Sequence, residues 1–369
     1  MKLKQSFFIG TTFVLISAFV MLLAGCSSNS SSTTTSTGAP TSSSPTTTTQ
    51  TPAQTTLTLF GAGTLAGPFG DIDTAFEQAN PNITVHPQFA GSVQDAHNIT
   101  QLHEVADILA VADYHVIPEV LYPNTTTITP TGSSTGTTSI SPAYANWYVG
   151  FASNAMTLMY TAKSKGASTI TSDNWYQILA EQGVNIGRSD PNTDPSGYQF
   201  LQMLQLASQY YNVPNLSQNI VANSPAKYVT STETDLIAAL QAGEIDYLAI
   251  YTSTAEEQGA GFEYLNLPPQ INLSDASMAA QYATVSVQTS SGMQTGSPII
   301  YAITIPTNAA NPQAAEAFVN FLISSQGQAI MQKDGFVPIN PAIADGITNM
   351  PAGLQTAVTP WPTTTTTTP

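Results

Sequence analysis

Two short segments carry residue types suited to holding an anion. In each, an apolar run ends in a glycine and a hydroxyl residue. Leu57-Thr58-Leu59-Phe60 leads to Gly61-Ala62-Gly63-Thr64, and Ile83-Thr84-Val85 leads to Ala90-Gly91-Ser92. A strand that turns through glycine into a helix leaves backbone N–H groups unpaired at the helix start, where the helix dipole favours negative charge. The hydroxyls of Thr64 and Ser92 add donors. Taken singly, either residue could be an ordinary helix N-cap. Two of one design on neighbouring strands can face a common cleft, and together they predict a receptor for a small oxyanion.

A third segment, Asp190-Pro191-Asn192-Thr193-Asp194-Pro195-Ser196-Gly197-Tyr198, places proline at a first helical position with Asp194 as a candidate cap. Its free N–H groups and Ser196 repeat the anion-seat design. A carboxylate beside them would repel an ordinary sulfate. Asp194 becomes useful if the ligand carries a proton, or if its central atom is a metal able to accept another oxygen donor. It is therefore the residue that would separate oxyanion classes. The fourth segment, Gly243-Glu244-Ile245-Asp246-Tyr247-Leu248-Ala249-Ile250-Tyr251-Thr252-Ser253, runs an apolar strand into Tyr251. That phenol either reaches a cleft from the strand's carboxyl end or is a core tyrosine. Thr234, near the start of the preceding helix, offers one more N–H.

Catalytic patterns are weaker. His86, His97, His103 and His115 fall within thirty residues, yet no pair has metal-ligand spacing on one helical face. No nucleophile elbow is present. Glu233, Glu256 and Glu257 fall on segments read as surface, and no triad or paired carboxylates emerge. The expectation is a protein that is not an enzyme and uses no cofactor.

The elements that must position these residues alternate strand and helix. After the first glycine turn, 68–79 reads as a helix with Phe69, Ile72, Ala75, Phe76 and Ala79 on one face, stopped by Asn80-Pro81. Strands at 83–89 and 106–111 flank a helix from Ser92 to about 102. This βαβαβ order implies a parallel sheet with ligands beyond the strands' carboxyl ends, where both turns lie. Further on, 147–160 is apolar and β-prone and carries the chain into a second lobe. Helices are expected at 175–181, 196–211 and 232–242, with strands at 185–188 and 246–251. A strand at 298–305 returns to the first lobe, and helices at 312–321 and 326–333 close it. A lobe that is left and re-entered implies crossing strands and a hinge.

The termini differ in kind. Lys2 and Lys4, the uncharged apolar run 7–23 and Leu23-Ala24-Gly25-Cys26 match a lipoprotein signal peptide over 1–26, with Cys26, the chain's single cysteine, as the lipid-modified residue. Residues 27–56 are almost entirely Ser, Thr, Pro, Gln and Ala, the composition of a disordered tether. A threonine-rich tail occupies 351–369, and 123–142 reads as a surface loop. Sequons occur at Asn82, Asn98, Asn124, Asn215 and Asn272. Between these ends, roughly 290 residues exceed what one core usually supports, so two lobes are expected. The first comprises 57–143 and 291–350, and the second 144–290. With seven lysines and arginines and a net charge of −16, no nucleic-acid surface exists.

These segments together resemble the archaeal-type molybdate/tungstate-binding proteins of ABC importers, relatives of the bacterial molybdate-binding proteins. Besides the glycine turns, the resemblance rests on Ala106-Asp107-Ile108-Leu109-Ala110, Ala112-Asp113-Tyr114, Ile117-Pro118 and Tyr144-Ala145-Asn146-Trp147-Tyr148. Asn174-Trp175-Tyr176, Asp194-Pro195-Ser196-Gly197-Tyr198, Gly243-Glu244-Ile245-Asp246-Tyr247 and Leu267-Pro268 extend it collinearly. It implies an α/β, type II periplasmic-binding-protein fold, two lobes joined by a hinge with the ligand between them. Thr64 and Ser92 would touch the oxyanion from one lobe, and Asp194, Ser196 and Tyr251 from the other; Gly63 of the first turn and Thr234 join them as binding candidates on the residue reading alone. The partners implied are the importer's permease and its ATPase, with a monomer held on the outer membrane face through Cys26 alone. Two positions depart. Thr64 stands where the family usually has serine, and Ile250 where many members carry a glutamate able to bind the metal. With Ile250, Asp194 alone would reach the metal, which leaves both a six-coordinate metal and a tetrahedral, hydrogen-bonded anion open. A phosphate or sulfate receptor on the same fold is the alternative; a secreted hydrolase and a surface adhesin are remote ones.

Overall fold

The computed structural model describes residues 54–123, 125–128 and 137–362. Two sheets organise them. The larger has seven strands in the order Val358–Pro360, Val337–Asp345, Tyr148–Ser153, Ile300–Thr304, Ile108–Val111, Thr55–Ala62 and Ile83–Ala90. The Thr55–Ala62 strand is parallel to both its neighbours, and Ile300–Thr304 joins antiparallel beside Ile108–Val111. The two glycine turns therefore open side by side, because the register pairs Ala62 with Ala90.

The helix Ala66–Ala79 buries Phe69, Ile72 and Phe76 at 3.6-residue spacing and ends at Asn80, whose N–H closes onto Phe76. Phe69 and Phe76 meet Phe318 edge-on, with ring centroids 6.0 and 5.2 Å away, which ties this helix to Pro312–Ile323. Ser92–Thr100 packs Val93, Ala96 and Ile99 on the other face.

The second sheet orders Glu263–Tyr264, Met156–Tyr160, Tyr247–Tyr251, Ile186–Ser189 and Val229–Thr230. Its long helix Pro195–Tyr210 lies against the strands, with Phe200, Met203, Leu204 and Ala207 fully buried. Tyr247–Tyr251 is buried along its whole length, as expected of a central strand covered on both faces.

The apolar run 147–160 is two strands, one in each sheet, so the chain crosses at Asn154-Ala155. The second lobe thus begins later than the expected 144. Three other boundaries move. The first strand starts at Thr55, inside the segment assigned to the tether. The loop 123–142 contains a two-stranded ladder of Thr125–Ile128 with Thr137–Ile140. The C-terminal segment is not a featureless tail from 351. Ala352–Gln355 is helical, Val358–Pro360 pairs with Val337–Asp345, and Trp361 lies 4.4 Å from the Tyr114 ring and 5.2 Å from Tyr148. Neither Val337–Asp345 nor the Ser286–Thr289/Gly292–Thr295 hairpin follows from periodicity, since prolines and short polar strands mask it. The leader with Cys26, residues 27–53 and 363–369 lie outside the described residues.

Candidate functional site

The two lobes meet along the glycine turns, and the meeting explains why glycine is needed there. At Gly91 a Cβ would lie 2.3 Å from the Thr193 carbonyl oxygen; at Gly63 it would lie 2.6 Å from Thr232 Oγ1. Both neighbours belong to the second lobe. Only residues without a side chain allow this approach. The N–H groups of Val93 and Gln94, which the sequence offers to an anion, donate instead to the Thr193 carbonyl at 3.1 Å each. The second seat is thus a closing contact between lobes. Ser92 is fully buried, and its Oγ accepts the Ala112 N–H at 3.0 Å, which leaves its hydrogen available as a donor. At the first seat, Thr64 Oγ1 lies 2.8 Å from the Tyr301 hydroxyl. Gly63, Thr64, Thr232 and Thr234 line a cavity of about 240 Å³ at the junction.

Across the junction, the start of Pro195–Tyr210 carries Asp194 and Ser196, buried at 3% and 1% exposure. Ser196 Oγ is 2.7 Å from Asp194 Oδ2, 2.7 Å from Glu233 Oε2 and 2.6 Å from Ser189 Oγ. This corrects the sequence reading twice. Glu233 was assigned to the surface but is 1% exposed, at the start of the helical turn Glu233–Leu236. Paired carboxylates, which the sequence seemed to lack, are present. Ile250 stands in the apolar core with Leu236 and Leu240, so it supplies no donor, and Glu233 takes the place of a second acid beside Asp194. The available signal was its neighbour. Thr234 was already read as a site residue at a helix start, and Glu233 precedes it.

One hydroxyl hydrogen cannot serve two carboxylates at once. Burial raises the Glu233 pKa well above the usual range, and the Asp194 charge raises it further. Glu233 Oε1 has no hydrogen-bond partner among the described residues. A third acid, Asp95, lies in the first turn of Ser92–Thr100; burial, then Asp194 and Glu104, push it up to about 8. At neutral pH it is largely uncharged, so the acid load at the cleft is lower than the count suggests.

Tyr251 is fully buried at the end of its strand, and its hydroxyl donates to Gln199 Oε1 at 2.6 Å. Its ring meets Tyr301 edge-on, with centroids 5.8 Å apart. Tyr301 and Gln199 were not anticipated, one hidden in an apolar strand and the other in a long amphipathic helix. Thr64, Ser92, Asp194, Ser196, Thr234 and Tyr251 therefore gather at the lobe junction. Of the histidines, His115 pairs with Asp113 and His103 with Tyr144. No metal-ligating group of three acids, histidines or cysteines occurs among the described residues.

Known proteins resemble this chain over most of its length. An uncharacterized solute-binding protein of Petrotoga mobilis is 40% identical over 305 residues, covering 81% of this chain and 88% of that one. A molybdate/tungstate-binding protein of Pyrococcus abyssi is 33% identical over 327 residues, covering 81% of this chain and 88% of its own. The periplasmic molybdate-binding protein of Azotobacter vinelandii shares the fold, with a TM-score of 0.52 at 15% identity over 76% of this chain and 98% of that one. The two lobes are those of the type II periplasmic-binding proteins. The family described as bacterial extracellular solute-binding protein matches residues 57–337, and the chain belongs to it.

Proposed function

We propose that this protein captures molybdate or tungstate between its lobes and delivers it to the permease of an ABC importer. The observation that carries the reading is the Asp194–Ser196–Glu233 cluster, two buried carboxylates 2.7 Å from one hydroxyl beside a helix start. Such a pair repels a fully ionised sulfate. It suits an oxyanion whose metal centre can expand its coordination by accepting carboxylate oxygens, and Glu233 Oε1 has an unused acceptor for that purpose. Thr64 and Ser92 donate to the oxo groups from the first lobe, and Gly63 and Thr234 shape the adjoining cavity. The name of the Pyrococcus abyssi relative supports the same cargo.

The mechanism is closure. A ligand touching both lobes favours the closed state by its differential affinity, and no bond of the ligand to oxygen is cleaved. Cys26, once lipid-modified, tethers the receptor to the outer face of the membrane, beside the permease and its ATPase. Thermal unfolding with tungstate, molybdate, sulfate and phosphate tests the cargo. A ligand at a hundred times its dissociation constant adds about 2.7 kcal/mol of stability. Stabilisation by phosphate or sulfate with none by tungstate or molybdate overturns the assignment.

A further inference from the structure

Asp113 follows the strand Ile108–Val111 of the first lobe and is 3% exposed. Its carboxylate accepts four hydrogen bonds. The backbone N–H and Nδ1 of His115 reach Oδ1 at 3.0 and 2.9 Å. The Tyr198 hydroxyl and Gln199 Nε2 reach Oδ2 at 2.8 and 3.2 Å. His115 belongs to the same turn, but Tyr198 and Gln199 come from the other lobe, on the helix whose start carries Asp194 and Ser196. The remaining amide atom of Gln199, Oε1, accepts the Tyr251 hydroxyl. A chain of hydrogen bonds therefore crosses from one lobe to the other and ends at Tyr251.

Donor and acceptor chemistry gives this chain a direction. An ionised carboxylate only accepts, so it holds Gln199 with Nε2 toward Asp113 and Oε1 toward Tyr251. The reversed amide would set a carbonyl against the carboxylate and leave both unpaired in a buried place, which is costly. Tyr251 has one hydrogen, and it is directed at Gln199. When the lobes part, Asp113 leaves with the first lobe. Gln199 can then turn its amide, and Tyr251 can turn its hydroxyl.

We propose that Asp113 and Gln199 are positioning residues that form a latch across the lobes and, as it closes, fix the orientation of the Tyr251 hydroxyl. Its effect on affinity rests on the oxyanion reading above; the latch itself is a property of closure. Because it acts on the open–closed equilibrium, it scales the affinity of every ligand by one factor. Asp194 and Glu233, by contrast, act on one class of ligand more than another.

The test uses Asp113→Ala, Gln199→Met and the double variant. Each is titrated calorimetrically with tungstate, molybdate, sulfate and phosphate, and its ligand-free lobe separation is measured by small-angle scattering. Each single variant should weaken tungstate and molybdate binding by the same factor, about tenfold, as for loss of a hydrogen bond to a charged group. The double variant should bind no more weakly than the weaker single, because both cut one chain. Ligand-free Asp113→Ala should be more open than the wild type. Losses that add, losses that differ between ligands, or an unchanged lobe separation overturn the proposal. If Asp113→Ala does not fold, Gln199→Met carries the same readouts, since it keeps the side chain's length and removes no charge. A wild type that binds none of the four anions refutes the oxyanion reading alone, because the scattering still decides the latch.

Discussion

Replacing Glu233 by glutamine should make the ligand-free protein more stable and the receptor weaker, two effects of opposite sign from one change. Glu233 and Asp194 share the Ser196 hydroxyl, so their nearer oxygens lie within about 5 Å of each other. At an effective dielectric constant near 20, two unit charges at that separation repel by about 3 kcal/mol. A proton on Glu233 relieves this repulsion, and burial favours that neutral form. Glu233→Gln keeps shape and hydrogen bonding to Ser196 while removing the need either to hold this charge or to take up a proton on folding, which should stabilise the ligand-free fold by about 1–3 kcal/mol. For a protein of roughly 290 folded residues that raises Tm by about 2–5 °C. The pH dependence follows from the raised pKa. Between the ordinary glutamate value of 4.5 and the raised folded value, the folded state holds a proton that the unfolded state has lost. Stability therefore falls as pH rises through that window, and Glu233→Gln should make the slope shallower, leaving the share that the raised Asp95 contributes. Tungstate affinity should fall about 10- to 100-fold, the scale of a lost contact to a charged group. Differential scanning calorimetry from pH 4 to 9 and titration with tungstate read both effects. A variant that is less stable at pH 8, or that binds tungstate as tightly as the wild type, refutes the reasoning.

Gly91→Ala should obstruct closure, because its methyl group would meet the Thr193 carbonyl; tungstate affinity should drop at least tenfold while the ligand-free Tm stays within about 2 °C. Thr64→Ser should leave affinity nearly unchanged, whereas Thr64→Ala, which removes one of the partners of the buried Tyr301 hydroxyl, should cost about 1 kcal/mol in thermal unfolding. Removing residues 357–369 should lower Tm by several degrees, since Trp361 leaves the Tyr114 and Tyr148 rings and Val358–Pro360 leaves the sheet; an unchanged Tm would show the segment to be dispensable. Burial alone would lower the His115 pKa and raise that of Asp113, but their contact reverses both shifts. The Asp113 contribution is present above its ordinary 3.8 and fades as pH falls; that of His115 is present below 6.5 and fades as pH rises through its raised value. Wild-type Tm should therefore include a plateau between those values that is absent from Asp113→Ala.

Much of this was legible in the sequence because it rests on local rules. Hydrophobic period placed helices at 68–79 and 196–211, close to the observed Ala66–Ala79 and Pro195–Tyr210, and glycine after a β-run placed the turns that set Thr64 and Ser92 side by side. Proline at the first helical position located the start that carries Asp194 and Ser196. What escaped depends on distance along the chain. Glu233 is polar, short of apolar neighbours and within a weak helical turn, so every local rule sends it to solvent; only a partner 39 residues earlier, Asp194, makes its burial intelligible. Tyr301 and Gln199 were hidden for the opposite reason, since each sits in a segment whose pattern is fully explained by packing. The C-terminal strand was lost in threonine-rich composition, although Trp361 is a side chain that a solvated tail would rarely carry.

The glycine turns also show why a helix start alone does not settle function. Free N–H groups at Val93 and Gln94 attract any partial negative charge, and here the Thr193 carbonyl of the other lobe meets them before a ligand can. The same electrostatics that suggested an anion seat thus holds the cleft shut. Asp113 works in the same direction from the other side of the junction, collecting Tyr198 and Gln199 across it. With closure supported by the protein's own groups, the ligand need supply less of the free energy that separates the open and closed states. On the proposed reading the discriminating contacts can then be few, and the buried carboxylates Asp194 and Glu233, unfavourable while no cation centre lies between them, would be the part of the site that distinguishes one oxyanion from another.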